Sequence, residues 1–149
     1  MTHVMKLPFT GGCACGAIRY ECTAEPVRMG QCHCRDCQRS SGGPFVAVVV
    51  VPTEALKLLK GSPRFFDTLS DRGGCIHRGF CPDCGSPVLG KFDAAPHLIG
   101  IRAGSLDDPS WFRPGYDIWT SDAQPWDYMN PALPKFEKYP PFAHPVKSS

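Results

Sequence analysis

Three short cysteine motifs hold the residues of this chain best suited to chemistry. Cys13-Ala14-Cys15-Gly16 is a CxCG, Cys81-Pro82-Asp83-Cys84-Gly85 is a CxxCG, and Cys32-His33-Cys34-Arg35-Asp36-Cys37 is a CxCxxC. Spacing this short lets one turn aim two sulfurs at a common point, and two such turns complete a tetrahedron around zinc. Gly16 and Gly85 each follow the second cysteine of their motif, where a positive φ closes the turn and lets backbone N–H groups face the sulfurs. Gln38 stands at the equivalent place after Cys37. The shared glycine therefore pairs Cys13 and Cys15 with Cys81 and Cys84 as one closed, structural zinc site, the alternative being four buried thiols.

The remaining motif has no partner pair. Cys32, Cys34 and Cys37 supply three thiolates and leave a fourth tetrahedral position for water, substrate or a protein ligand, which is what separates a catalytic zinc from a structural one. A histidine could close it. His33 alternates with two ligands along the chain and is expected to point away; His77 stays open as a fourth ligand. Arg35 and Arg39 flank the motif, either to meet carboxylates of a substrate or, as the simpler expectation, as the solvated side of a turn. Trp126 reads equally as a pocket wall or a core residue. Cys22 reads as a core thiol and Cys75 as a simple loop thiol.

The elements that must carry these motifs are short. With 15 Gly and 16 Pro in 149 residues, long helices cannot persist, whereas short strands and tight turns can. Strands are expected over residues 17–22, 27–31, 45–51, 55–59, 64–69 and 76–80, with residues 10–12 as a turn. Residues 88–92 and 98–103 should pair as an antiparallel hairpin, and 115–120 should form the last strand. One helical turn is expected over 35–41, ended by Gly42-Gly43. From residue 123 the chain is proline-rich but keeps Trp126, Tyr128, Phe136 and Tyr139, the mark of an irregular segment packed on the body, with 138–149 as a loose tail. The expectation is a single all-β domain over 1–149.

The formal charge of +2 is too small for a nucleic-acid surface, and seven ionised thiols with two divalent zinc ions would bring it to about −1. The longest apolar run, residues 45–52, is too short to cross a bilayer, and residues 1–9 do not resemble a secretion signal. A cytoplasmic location follows as the expectation, with no membrane and no nucleic-acid partner. There disulfides are rare, and nine cysteines is in any case an odd count for a disulfide framework.

Taken in order, the CxCG, the CHCxxCQRSSG with Phe45 downstream, the RGFCPDCGSP and a late segment with Trp119 and Pro125-Trp126 resemble the glutathione-dependent formaldehyde-activating enzyme family, with a related domain in centromere protein V. The resemblance covers residues 12–137. It implies a β-tent fold of several coiled antiparallel sheets with zinc knuckles. It also implies two zinc ions per chain: a structural one on Cys13, Cys15, Cys81 and Cys84, and a catalytic one on Cys32, Cys34 and Cys37. The activity implied is that of a carbon–sulfur lyase, joining glutathione to formaldehyde as S-hydroxymethylglutathione, so that the partners are a small thiol and an aldehyde. The alternative from another functional class is a non-catalytic zinc-binding interaction module, its second zinc closed by His77 or by a partner's side chain.

Overall fold

A run of β-branched residues sets the middle of the fold. Residues Val46–Pro52 (VAVVVVP) are apolar on both faces, which suits a strand covered on both sides. A computed structural model describes residues 4–141 and uses this strand in that way. The strands are β1 (Phe9–Gly12), β2 (Arg19–Cys22), β3 (Arg28–Cys32), β4 (Val46–Pro52), β5 (Leu56–Lys60), β6 (Arg64–Leu69), β7 (Cys75–Phe80), β8 (Pro87–Phe92), β9 (Leu98–Arg102) and β10 (Asp117–Ile118). One α-helix, α1 (Arg35–Ser41), follows β3, and four short 3₁₀ turns complete the described elements. The protein is all-β, as the sequence led us to expect.

The strands form two sheets, a small one ordered β1-β2-β5 and a large one ordered β10-β3-β4-β9-β8-β7-β6. Pairing is antiparallel throughout except for β10, which runs parallel to β3. The expected β8–β9 hairpin forms, with Leu89 opposite Ile101 and Lys91 opposite Ile99.

Side chains alternate across a strand, and that alternation gives the large sheet two different faces. Val49, Val51, Leu89, Ile99 and Ile101 point to the small sheet and pack there with Phe9, Ile18, Tyr20, Leu106 and Trp111. Val48, Val50, Ile76, Leu98 and Arg102 lie on a cavity instead. The core is therefore sandwiched between the sheets, and the cavity opens from the far side of the larger one.

The chain from residue 115 onward covers this far side. Gln31 donates its N–H to Tyr116 O (3.1 Å) and His33 to Ile118 O (3.0 Å). The Tyr116 ring lies so close over β3 that a Cβ on Gly30 would come within 2.3 Å of it, so only glycine fits there. The proline-rich segment then returns alongside β10: Asp117 donates its N–H to Pro134 O (2.9 Å), and Phe136 to Asp117 O (3.0 Å).

Three local expectations need correction. Residues 10–12 belong to strand β1; the Gly11-Gly12 pair, which suggests a turn, lets β1 lie against Tyr20, whose hydroxyl would be 2.2 Å from a Cβ on Gly11. The last strand is two residues long, because Trp119 takes a left-handed conformation (φ 58°) that ends it. Tyr139 and Pro140 are packed on the body, with Pro140 fully buried and Tyr139 edge-on to Trp119 at 5.5 Å between centroids. The rest of the expected loose tail, 142–149, lies outside the described residues. No helix among the described residues is long and apolar enough to cross a membrane.

Candidate functional site

The first cysteine cluster is built from two hairpin turns. Cys13 and Cys15 lie in the turn from β1 to β2, and Cys81 and Cys84 in the turn from β7 to β8. Gly16 (φ 81°) and Gly85 (φ 78°) adopt the left-handed conformation expected of them. Gly85 donates its N–H to Cys81 O (2.8 Å) and Gly16 to Cys13 O (3.2 Å), closing each turn. Ile18 donates its N–H to Cys13 Sγ (3.2 Å) and Asp83 to Cys81 Sγ (3.4 Å). All four sulfurs fall within 4.8 Å of one another. Since β1–β2 belongs to the small sheet and β7–β8 to the large one, the cluster is a clasp between the two sheets.

Four thiols this close cannot all ionise unaided. Hydrogen bonds from the Ser86 hydroxyl and backbone, with the Cys15 backbone, bring Cys84 down to about 5. Cys15 receives a lowering hydrogen bond from the Ala17 backbone, yet its neighbours Cys13 and Cys84 push it up to about 12. A divalent cation among the sulfurs removes this conflict, and four tetrahedrally disposed thiolates are the donor set of a structural zinc.

The second cluster uses the end of a strand and the start of a helix. Cys32 closes β3, fixed in register opposite Val46 of β4 and beside Ile118 of β10. Cys34 is the N-cap of α1, its sulfur accepting the Cys37 N–H at 3.2 Å, and Cys37 sits in the first helical turn. Gly42 (φ 73°) ends the helix by donating its N–H to Gln38 O (2.8 Å). The three sulfurs lie within 4.8 Å of one another, and among the described residues no fourth Cys, His, Asp or Glu donor joins them. Either cluster can hold a metal ion.

Neither histidine closes the second cluster. His33 is fully buried and turned away from the thiols, its Nε2 2.8 Å from Asp117 Oδ1 and its Nδ1 hydrogen-bonded to Asp127 Oδ2. His77, kept open above as a fourth ligand, projects elsewhere: its Nδ1 meets Asp67 Oδ1 and its Nε2 meets Asp93 Oδ1, both at 2.7 Å. Asp93 and Asp67 hold His77 charged to higher pH than an isolated imidazole. A raised folded-state value stabilises below the ordinary histidine value, near 6.5, and the stabilisation is lost as pH rises through the folded value. The melting temperature of His77→Gln should therefore trail that of the unaltered protein at pH 5–6 and converge on it in alkaline buffer; a gap that widens with pH would contradict the assignment.

The three-thiol cluster forms part of the wall of the cavity on the large sheet, which measures about 120 Å³. Arg28, Arg72, Arg78 and Arg102 line it as well. Arg78 is 7% exposed, its Nη1 3.7 Å from Cys37 Sγ and its Nε donating to Thr68 Oγ1 at 3.3 Å. Hydrogen bonds from Cys32 and Cys34, helped by the charges of Arg78 and Arg102, hold Cys37 well below the usual thiol range. Cys32 goes the opposite way, pushed up by Cys34, Cys37 and its own burial. Among the described residues no carboxylate forms an ion pair with Arg72, Arg78 or Arg102. The cavity is thus a cationic enclosure around thiols, suited to an anionic ligand.

Sequence reasoning placed the charge elsewhere. Arg35 and Arg39 are exposed on α1 and do not line the cavity, so the solvated-turn reading holds for them. Trp126 is 66% exposed and is neither wall nor core. Cys22 is fully buried in the core as expected, while Cys75 lines the cavity without joining either cluster. None of the nine cysteines is joined to another by a disulfide. The clue to Arg102 was its setting in a strand otherwise made of apolar residues and glycine (LIGIR), where an arginine has little solvent to reach; Arg78, next to His77 in CIHRGF, carries a weaker signal of the same kind.

The family model described as glutathione-dependent formaldehyde-activating enzyme matches residues 8–122. A protein of Penicillium rubens, named as a candidate enzyme of that kind, is 25% identical over 121 residues, covering 73% of this chain and 62% of its own length. A similarly named protein of Emericella nidulans is 28% identical over 101 residues, covering 64% of this chain and 50% of its own. The chain thus spans about half to three-fifths of the length of these curated relatives. A crystal structure of a Rhodobacter sphaeroides protein superposes with a TM-score of 0.55 at 16% identity, over 85% of this chain and 98% of that one, and supports the fold. With the model matched across both cysteine clusters, this chain belongs to the glutathione-dependent formaldehyde-activating enzyme family.

Proposed function

We propose that this protein is a zinc-dependent carbon–sulfur lyase of the cytoplasm that joins a small thiol, glutathione, to an aldehyde such as formaldehyde, giving S-hydroxymethylglutathione. The observation that carries this reading is the cluster of Cys32, Cys34 and Cys37 at an arginine-lined cavity, with no fourth protein donor among the described residues. Cys13, Cys15, Cys81 and Cys84 would hold a structural zinc, and Cys32, Cys34 and Cys37 a catalytic one. Zinc at the three cysteines would favour the thiolate form of an incoming thiol at neutral pH.

The chain's own residues supply the rest. Arg78 and Arg102 offset the negative charge that gathers when a further thiolate joins three cysteine sulfurs. Tyr116, Ile118 and Val50 wall the cavity and keep water from the bound thiol. The thiolate sulfur adds to the aldehyde carbon, the carbonyl π pair moves to oxygen, and that oxygen takes a proton from solvent to complete the hemithioacetal. Because three thiolates leave a zinc ion a weak Lewis acid, holding the two reactants together is the larger part of the rate enhancement. The interaction-module alternative closes the second cluster with His77 or with a partner's side chain; both ring nitrogens of His77 are already engaged by carboxylates, which leaves that alternative its partner-closed form.

The test is consumption of formaldehyde and glutathione with and without the zinc-loaded protein. Acceleration over the spontaneous reaction is expected, and Cys37→Ser should abolish it while retaining the far-ultraviolet circular dichroism of the unaltered chain. A rate equal to the spontaneous one would remove the named activity.

A further inference from the structure

The cavity holds more positive charge than its thiols account for. Arg78 and Arg102 are electrostatically tied to Cys37, Cys34 and Cys32. Arg72 is not: its charge is felt chiefly by Tyr139 and Arg28. It lines the same cavity, and its Nε is buried without any hydrogen-bond partner. An unsatisfied buried donor is uncommon in a native protein, and one on a cavity wall is placed to meet an acceptor that arrives with a ligand.

The guanidinium is also held in place. Its carbon lies 5.1 Å from the centroid of the Tyr139 ring, which is itself packed edge-on to Trp119. At its base the Arg72 N–H bonds to Ser70 Oγ (3.1 Å), and Gly73 and Gly74, both at positive φ, turn the loop back into β7. Stacking engages the face of a guanidinium and leaves its N–H edge for a planar acceptor, and the acceptor that matches two parallel N–H groups is a carboxylate.

We propose that Arg72 is a specificity-determining residue that binds a carboxylate of the incoming thiol, so that the site selects thiols bearing a carboxylate over neutral thiols of similar size. The inference rests on the reading that a thiol docks at Cys32, Cys34 and Cys37. Arg78 lies 3.7 Å from Cys37 Sγ and Arg35 and Arg39 lie outside the cavity; of the arginines on its wall, Arg72 is the one with a fully buried nitrogen that has no hydrogen-bond partner among the described residues.

The experiment is a binding cycle on the whole zinc-loaded 149-residue chain without aldehyde, read by calorimetry. Glutathione and its diethyl ester are titrated into the unaltered protein and into Arg72→Gln. Esterification should weaken binding to the unaltered protein by about tenfold or more, Arg72→Gln should weaken glutathione by a similar factor, and the penalty for esterification should shrink about tenfold in the variant. Arg72→Lys, which keeps the charge but not the fork, should fall between, and it provides a second variant if Arg72→Gln proves unstable. An esterification penalty that is the same in both proteins overturns the assignment, as does glutathione binding that Arg72→Gln leaves unchanged. Catalysis is read separately: if the cycle behaves as expected but formaldehyde is consumed no faster than spontaneously, the carboxylate site stands and the lyase reading falls.

Discussion

Cys81→Ser should leave the protein without a cooperative fold at room temperature, whereas Cys37→Ser should melt within a few degrees of the unaltered chain. The sulfur of Cys81 is fully buried in the core cluster and lies 3.7 Å from Cys15 Sγ, across the junction of the two sheets. Structural zinc contributes roughly 10–16 kcal/mol to the folding of zinc-finger peptides, against a total stability of about 5–15 kcal/mol for an ordinary domain. Losing one of four ligands forfeits much of that contribution and leaves a serine hydroxyl in the core. Cys37 stands on a seven-residue helix at the cavity wall, outside the core cluster, so its replacement should cost the metal proposed there and little of the fold. Circular dichroism melts of both variants, with metal analysis giving two zinc ions for the unaltered chain and one for Cys37→Ser, test this division. Equal loss of folding in both would mean that both clusters are structural.

The grouping of seven cysteines into a cluster of four and a cluster of three was legible in the sequence because it rests on local rules. A turn that aims two sulfurs at one point needs short spacing and a positive φ, and the glycines that permit it, Gly16 and Gly85, are adjacent to the ligands. The same holds for α1, whose end at Gly42 follows from a left-handed residue that glycine supplies. What the sequence hid depends on register and on distant segments. Arg78 and Arg102 reach the thiols only because β7 and β9 present that parity to the cavity, 41 and 65 positions along the chain from Cys37. The carboxylates that turn His33 away lie 84 and 94 positions from it, Asp117 on the last strand and Asp127 on a segment whose composition shows only that it packs somewhere. The Gly11-Gly12 pair misleads for a related reason: close approach of another side chain demands glycine as firmly as a turn does, and only the partner, Tyr20, tells the two apart.

Asp117→Ala should be the most damaging change outside the cysteines, because it opens a buried charge network behind the three-thiol cluster. Asp117 is fully buried; Oδ1 meets His33 Nε2 and Oδ2 accepts from Lys135 Nζ, each at 2.8 Å. Lys135 in turn donates to Asn130 O (2.6 Å) and Leu133 O (3.2 Å), so one carboxylate secures both the Cys32–Cys34 backbone and the return of the proline-rich segment. Removing it leaves Nε2 of the fully buried His33 without its partner and takes from the partly exposed Lys135 its carboxylate, while Asn130 O and Leu133 O remain as acceptors; the loss is about 3–5 kcal/mol, a fall in melting temperature on the order of 10 °C for a domain of this size. The damage should reach the metal too. His33 lies between Cys32 and Cys34, and losing a group that orients ligands typically weakens a site by about 10–100-fold. Chelator competition should therefore strip one zinc ion from Asp117→Ala more readily than from the unaltered chain, leaving the ion at Cys13, Cys15, Cys81 and Cys84 in place. Asp127 gives the internal control: it also bonds His33, but its Oδ1 is buried without a partner. Asp127→Asn keeps the shape and severs no contact to Lys135, so it should cost less stability than Asp117→Ala. If the two variants are equally stable, or if both metal ions are released together, His33 does not link the carboxylates to the cluster in the way the geometry requires.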